Sequence, residues 1–255
     1  MFTCTSGMTD FRGKWIVVEG PDRIGKTTLI RNLQHRITHQ GLNVMTNGFP
    51  RRSTPIGKLL DKSLKTHGLI KDWKAQTLTF LSDMLEAQIE MALWRAPENG
   101  SGVVITDRYT MSTYAYAKAQ HDISQLDDDA WLMCSLNLVP QPDIYILLTP
   151  EEGDTQFLES RSGYGADVTE RSDIQQKVIT HLDEFVTRQE FINTTNTQFI
   201  RVTVNSNDTP ETVCDRLAMP ELEKQLREFT TDASVDGNAD VSADTPDSLD
   251  RFGCD

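Results

Sequence analysis

Short apolar runs recur along the chain, each ending near a glycine, a proline or a charged residue. Residues 14–20 (KWIVVEG) carry four apolar positions from Trp15 to Val18. Residues 42–46, 102–106 (GVVIT), 143–148 (DIYILL) and 198–204 have the same character, and each predicts a buried strand. The intervening stretches change period. In residues 26–40, Leu29, Leu33 and Ile37 stand four apart and Gly41 follows as a stop, which predicts a helix. Helices are also expected over 54–66, over 72–95 with Pro97 ending it, over 172–192 and over 210–217. Strands alternating with helices predict an α/β fold, a three-layer sandwich with a five-stranded parallel sheet covered on both faces. Ligands in such sheets bind beyond the carboxyl ends of the strands. Three polar stretches fall at that edge: residues 20–27, 49–52 and 107–109.

After Phe229 the pattern stops. Residues 230–255 hold seven Asp and one Arg, so nearly half of the net charge of −13 sits there. Asp232, Asp236, Asp240 and Asp244 recur four apart, where like charges would repel on a helix. The composition predicts an acidic disordered tail, with a partner-binding segment as the other reading. The division expected is therefore a flexible segment at 1–13, a catalytic body at 14–229 with a lid near 160–172, and the tail at 230–255. The acidic balance excludes a general nucleic-acid binder. No apolar run is long enough to span a bilayer, and the N-terminus does not read as a secretory signal. Cys4, Cys134, Cys214 and Cys254 are widely spaced, without metal or redox spacing, so free thiols in a reducing cytoplasm are expected. His35 and His39 are four apart on a helix, which reads as a partly exposed face and not a zinc site.

Residues 20–27 (GPDRIGKT) match the phosphate-loop pattern GxxxxGK[ST], with a strand before and a helix after. Gly20 and Gly25 let the backbone wrap a phosphate, so the N–H groups of Asp22, Arg23, Ile24 and Thr28 can point inward at a helix start. Lys26 supplies a charge to the outer phosphates, and the Thr27 hydroxyl suits Mg²⁺. The fold class is thus the P-loop NTP-hydrolase type. Arg23 is placed either to reach the transferring phosphoryl group, as a finger supplied in cis, or to cap the loop at the surface. Phe49-Pro50-Arg51-Arg52 follows the second strand and reads as a clamp for an acceptor phosphate or as a solvated basic turn. Asp107-Arg108-Tyr109 follows the third strand; Asp107 suits Mg²⁺ and Arg108 the acceptor phosphate, or the two form a charged pair closing the strand. Phe80 is either core or a platform for a base. Residues 160–172, with Arg161, Gly163, Gly165 and Arg171, have the composition of a lid or of an ordinary exposed loop.

The order GPDRIGKTT, FPRR, DRY, then SGYG at 162–165 and VNS at 204–206, resembles the thymidylate kinases over roughly residues 14–217. An arginine inside the loop resembles the eukaryotic and large-DNA-virus branch. The resemblance implies a homodimer that makes dTDP from dTMP and ATP with Mg²⁺, in the cytoplasm, or in the host cytoplasm or nucleus if viral. It implies that Asp22 binds the acceptor 3′-hydroxyl and that Arg52 and Arg108 bind its phosphate. Phe80 would stack on thymine with Phe49 nearby, and Ser112 would approach the base edge. Arg23, Lys26, Asp107 and Arg108 would carry the catalysis, Thr27 and Asp107 would hold the metal, and Asn205 would border the ATP site. Two positions depart from the family pattern. Met84 stands where an arginine four residues after Phe80 is usual, and residues 167–170 read DVTE where ERYE is usual. Both touch acceptor recognition, which implies a broadened acceptor range. Another nucleoside monophosphate or deoxynucleoside kinase is the nearest alternative, and a non-catalytic nucleotide-binding regulator is one of a different class.

Overall fold

The structure, a computed structural model, describes residues 11–66, 69–97, 102–151, 158, 172–192 and 196–224. Five strands form one parallel sheet: β1 (Trp15–Glu19), β2 (Val44–Gly48), β3 (Val103–Asp107), β4 (Ile144–Pro150) and β5 (Gln198–Val204), in the order β2-β3-β1-β4-β5. The phosphate-loop strand β1 is central, paired with β3 on one side and β4 on the other. The helices are α1 (Lys26–His39), α2 (Pro55–Lys65), α3 (Trp73–Arg95), α4 (Thr110–Gln120), α5 (Leu126–Leu136) and α6 (Ser172–Ile192). A last helix, α7, covers residues 210–224, and its Thr212–Ala218 stretch is wound as a π-helix. The expected α/β sandwich is the fold observed.

The three inner strands β1, β3 and β4 are buried on both faces and read as continuous apolar runs, while the edge strands β2 and β5 are partly exposed. Side chains of β1 alternate: Ile16 and Val18 pack with Leu29, Leu33 and Ile37 of α1, while Trp15 and Val17 pack beneath α3, α4 and α6. Each such side chain contributes ~1.5–3 kcal/mol on burial. Phe11 is fully buried in the α1-side cluster. The packed body therefore begins before residue 14, a correction to the end of the expected loose segment; residues 1–10 and the tail 230–255 lie outside the described residues.

Two further boundaries shift. β2 begins at Val44 and not at residue 42, because Val44 is the first residue in register with β3, opposite Val103. The last helix runs on to residue 224, seven beyond its expected end, carrying Met219 and Leu222 into the core. Helices α4 and α5 carried no prediction. The first six residues of α4, Thr110 to Ala115, are all buried, so the segment has no polar face to create a helical period. Among the described residues, no helix is long and apolar enough to cross a membrane.

Candidate active site

The three polar stretches meet at the carboxyl edge of neighbouring strands. They border a cleft of about 740 Å³ lined on one side by Asp22, Thr27, Asp107 and Arg108 and on the other by Phe49, Arg52, Phe80 and Met84. The phosphate loop is shaped by its glycines. Gly20 has φ 146°, and a Cβ there would stand 2.6 Å from the Leu148 carbonyl oxygen. Gly25, at φ 111°, caps α1 and accepts its first helical bond from Leu29 N. Ile24 is core, so its share in the loop is its backbone. Lys26 is buried; its Nζ donates to the carbonyls of Gly20 (3.0 Å) and Pro21 (2.6 Å). Burial, then the repulsion of Arg108, pull its pKa down to about 8. Thr28 is half-buried in the first turn.

Among the described residues, two non-glycine residues have left-handed backbones, Arg23 inside the phosphate loop (φ 67°) and Arg108 just after β3 (φ 66°). Each such conformation costs on the order of 1 kcal/mol or more, which the surrounding contacts must hold in place. Arg108 is well held. Its amide donates to Val18 O; one guanidinium nitrogen reaches Gly20 O (3.2 Å) and Ser112 Oγ (3.1 Å), and the other pairs with Asp22. The guanidinium also lies over the Tyr116 ring at 5.2 Å. Burial alone would lower its pKa, but the facing Tyr116, Asp22, Asp107 and Glu19 raise it, so it is a permanent cation. Asp22 is the counterpart. Burial would raise its pKa, but Arg108 and Lys26 hold the carboxyl below its ordinary value, and Tyr116 Oη (2.7 Å) and Gln175 Nε2 (2.8 Å) donate to it.

Asp107 ends β3 beside the loop. Its Oδ2 accepts from the Thr27 hydroxyl at 3.2 Å, while its buried Oδ1 has no hydrogen-bond partner among the described residues. Phe49 is buried against Tyr109 at 5.6 Å, and Phe80 is half-buried at the cleft wall. Met84 is 1% exposed and faces the same cleft. Ser112 lines the cleft, but its hydroxyl is bonded to Glu19 (2.5 Å) and accepts from Arg108. Arg52 stands at the cleft edge, largely exposed and paired with Asp61 at 2.7 Å. Its neighbour Arg51, read in the sequence as half of a clamp, also borders the cleft, but its guanidinium is taken by Asp83 and Glu86. Asn205 lies past β5, outside the cleft lining; its side-chain Oδ1 accepts from Asn207 N in a turn. The lid stretch, with residues 159–171, lies outside the described residues. His35 and His39 meet on α1, and among the described residues no group of three metal-binding side chains assembles.

Four contributors carried no site reading in the sequence. Glu19 is buried at the end of β1 and accepts from Tyr109 N (2.7 Å) and Ser112 N (3.1 Å), satisfying the start of α4, which has no side-chain cap of its own. Burial raises its pKa, opposed by the Ser112 and Arg108 contacts. A charged residue closing an apolar strand was a visible signal for it. Tyr116 sits on the unpredicted α4. Gln175 clasps Asp22 twice, its Oε1 accepting from Asp22 N at 2.9 Å, across 153 residues of sequence. Asp83, fully buried on α3, anchors Arg51.

The family profile described as Thymidylate kinase matches residues 18–207. The 251L protein of Invertebrate iridescent virus 6, a viral relative named for the same activity, is 33% identical over 67% of this chain and 75% of its own. The thymidylate kinase of Dictyostelium discoideum is 32% identical over 66% of this chain and 70% of its own. The solved thymidylate kinase of Candida albicans superposes with a TM-score of 0.62 at 25% identity, covering 88% of this chain and 93% of that one.

Proposed function

Because the chain belongs to the thymidylate kinase family, we propose that it transfers the γ-phosphoryl group of ATP to the phosphate of dTMP, giving dTDP and ADP. The observation that carries this reading is the junction of a phosphate loop with an acceptor cleft through one ion pair, Arg108 with Asp22. Lys26 and the loop amides hold the donor phosphates, and the carbonyls of Gly20 and Pro21 keep the Lys26 ammonium against the loop. Arg108 and Arg52 face the acceptor phosphate across the cleft, and the aromatic wall of Phe49 and Phe80 takes the base. A carboxylate has about four acceptor sites, so Asp22 keeps room for a 3′-hydroxyl beside its three partners. Mg²⁺ fits the donor set, because the buried Asp107 Oδ1, unpartnered among the described residues, and the Thr27 hydroxyl are hard oxygen ligands; when bound, it would supply charge neutralisation to the donor phosphates. The attacking oxygen belongs to an ionised phosphate, so no side-chain base is required, and Lys26, Arg23 and Arg108 act by position and charge.

Met84 favours a second feature, a broadened acceptor range. Its thioether cannot donate to a base carbonyl, and a buried carbonyl left unpaired costs about 1–3 kcal/mol. The same end of the cleft offers Gln76, Thr77, Gln120 and His121 as other polar contacts, together with an adaptable thioether. The test is ADP release from ATP with Mg²⁺ and each of dTMP, dUMP, dGMP, 5-substituted dUMP and thymidine, for the native protein and Met84→Arg. Turnover with dTMP is expected, with several base variants accepted and thymidine refused. No turnover with dTMP would overturn the activity. A strict preference for dTMP, unchanged in Met84→Arg, would overturn the broadening.

We further propose a homodimer. Leu78, Leu85, Ile89 and Leu93 form an apolar stripe on the outer face of α3, between 45% and 74% exposed, and the family resemblance supports covering it with a second copy.

A further inference from the structure

The loop from β2 to α2 carries Phe49, Pro50 and Arg52 to the cleft, and residues 51–54 form a single turn, closed by Thr54 N–H on the Arg51 carbonyl at 2.9 Å, which does not by itself tie the loop to the rest of the fold. What holds it is a carboxylate from another element. Asp83 is fully buried on α3, and its two oxygens are spent on this loop. Oδ2 accepts from the Arg51 backbone N–H at 2.7 Å; Oδ1 accepts from Arg51 Nε at 3.1 Å and from the Thr54 hydroxyl at 3.3 Å. Glu86, one turn further along α3, takes the Arg51 guanidinium at 2.5 Å. From the opposite side α2 presses in. A Cβ on Gly57 would stand 1.9 Å from the Arg51 carbonyl oxygen, so the loop backbone has no room to retreat. Thr54 closes the arrangement, since its hydroxyl also caps α2 by accepting from Gly57 N at 3.0 Å.

We propose that Asp83, acting through Arg51, is a positioning residue for the acceptor: it fixes the 49–54 loop so that Arg52 meets the acceptor phosphate and Phe49 meets the base. Surface pairs do not locate a backbone, because water competes and both side chains are mobile. This pair differs on both counts. One partner is wholly buried, and the bond to a main-chain N–H fixes the loop itself and not only a side chain. Removing Arg51 leaves the buried Asp83 charge uncompensated, and removing the Asp83 charge leaves Arg51 only the half-exposed Glu86, so in either case the loop loses its buried anchor and relaxes toward solvent. Phe80 and Met84 flank Asp83 on the same helix and line the same cleft, so the clasp also sets the distance between the base platform and the phosphate-binding arginine. A displacement of about 1 Å in such a frame is enough to cost on the order of a hundredfold in the productive complex.

The inference rests on dTMP being the acceptor, and native turnover with dTMP tests that separately. The experiment compares native protein with Asp83→Asn, Arg51→Ala, Arg51→Lys and the apolar pair Arg51→Met/Asp83→Leu. Steady-state kinetics are measured with ATP and dTMP varied in turn, alongside thermal midpoints. In Asp83→Asn and Arg51→Ala, kcat/KM for dTMP is expected to fall on the order of tenfold or more while KM for ATP moves less than about twofold. Arg51→Lys, which keeps the charge and loses the fork, should lie between them and the native protein. The apolar pair should regain thermal stability without regaining KM for dTMP, since packing is restored and the loop anchor is not. Normal kcat/KM for dTMP in a folded Asp83→Asn or Arg51→Ala protein would overturn the proposal. So would equal losses toward both substrates, or recovery of dTMP binding in the apolar pair, which would show a clasp that serves stability alone. If Asp83→Asn and Arg51→Ala do not fold, Arg51→Lys and the apolar pair decide by the same split between the two substrates.

Discussion

Lys26 is the residue whose environment has the most direct chemical consequence. Burial and the neighbouring Arg108 bring its pKa down from 10.5 to about 8. Below that value the free enzyme presents an ammonium to the donor phosphates; above it, a neutral amine. kcat/KM reports the free enzyme, so kcat/KM for ATP should fall about tenfold per pH unit above pH ~8. In the ATP complex the phosphates favour the charged form, and kcat should hold to higher pH. The linkage to stability has the opposite sign. Between about 8 and 10.5 the unfolded state binds more protons at this lysine than the folded state, so its contribution to stability rises with pH. A loss of kcat/KM without a parallel fall in thermal midpoint would follow; a flat profile to pH 9.5 would remove Lys26 titration from ATP binding. Arg23 makes a separate prediction. Its left-handed backbone inside the phosphate loop is the kind of strain that function retains. Arg23→Ala should lower kcat on the order of 10³-fold with KM for ATP little changed, and a folded variant with near-native turnover would take Arg23 out of the reaction.

At the scale of elements, legibility followed local pattern. Strands buried on both faces announce themselves as apolar runs, and α1 has a clear stripe in Leu29, Leu33 and Ile37, so these were found within one or two residues. Helix α4 was invisible because its first six residues are all buried, and a helix with no wet face has no period to read. With it went Tyr116, which sits in the site only because α4 passes over the cleft. The phosphate loop, FPRR and DRY were legible because their chemistry is local to a strand end. The partners that tune them were not. Glu19 reaches the start of α4 across more than 90 residues, and Gln175 reaches Asp22 across 153. The two arginines at 51 and 52 show the limit most clearly. Adjacent in sequence, they read as one clamp, but successive side chains of an irregular loop point apart. Arg51 is paired with Asp83 and Glu86 on α3, while the largely exposed Arg52 is paired with Asp61 on α2.

For the whole molecule, α3 is the element that would join the cleft to the proposed dimer. Its inner face buries Leu81, Met84, Ala87 and Met91, and Met84 and the half-buried Phe80 line the cleft. Its outer face sets Leu78, Leu85, Ile89 and Leu93 at intervals of seven, four and four, the spacing of one apolar stripe along a helix. A helix apolar on both sides is normally buried on both, and an isologous contact lets the same stripe meet itself across a two-fold axis, with no further partner required. Ile89, at 74%, is the most exposed of the four and sits near the middle of the stripe. The native chain should therefore sediment at about twice its 28.8 kDa, independent of concentration over the micromolar range. Ile89→Asp places a charge that would be buried and unpaired in the dimer but fully wet in the monomer, a penalty of several kcal/mol felt twice per assembly. It should sediment as a monomer with its fold intact by circular dichroism. A native protein that is monomeric at about 50 μM, or an Ile89→Asp variant that remains dimeric, would show that this stripe is not the seam.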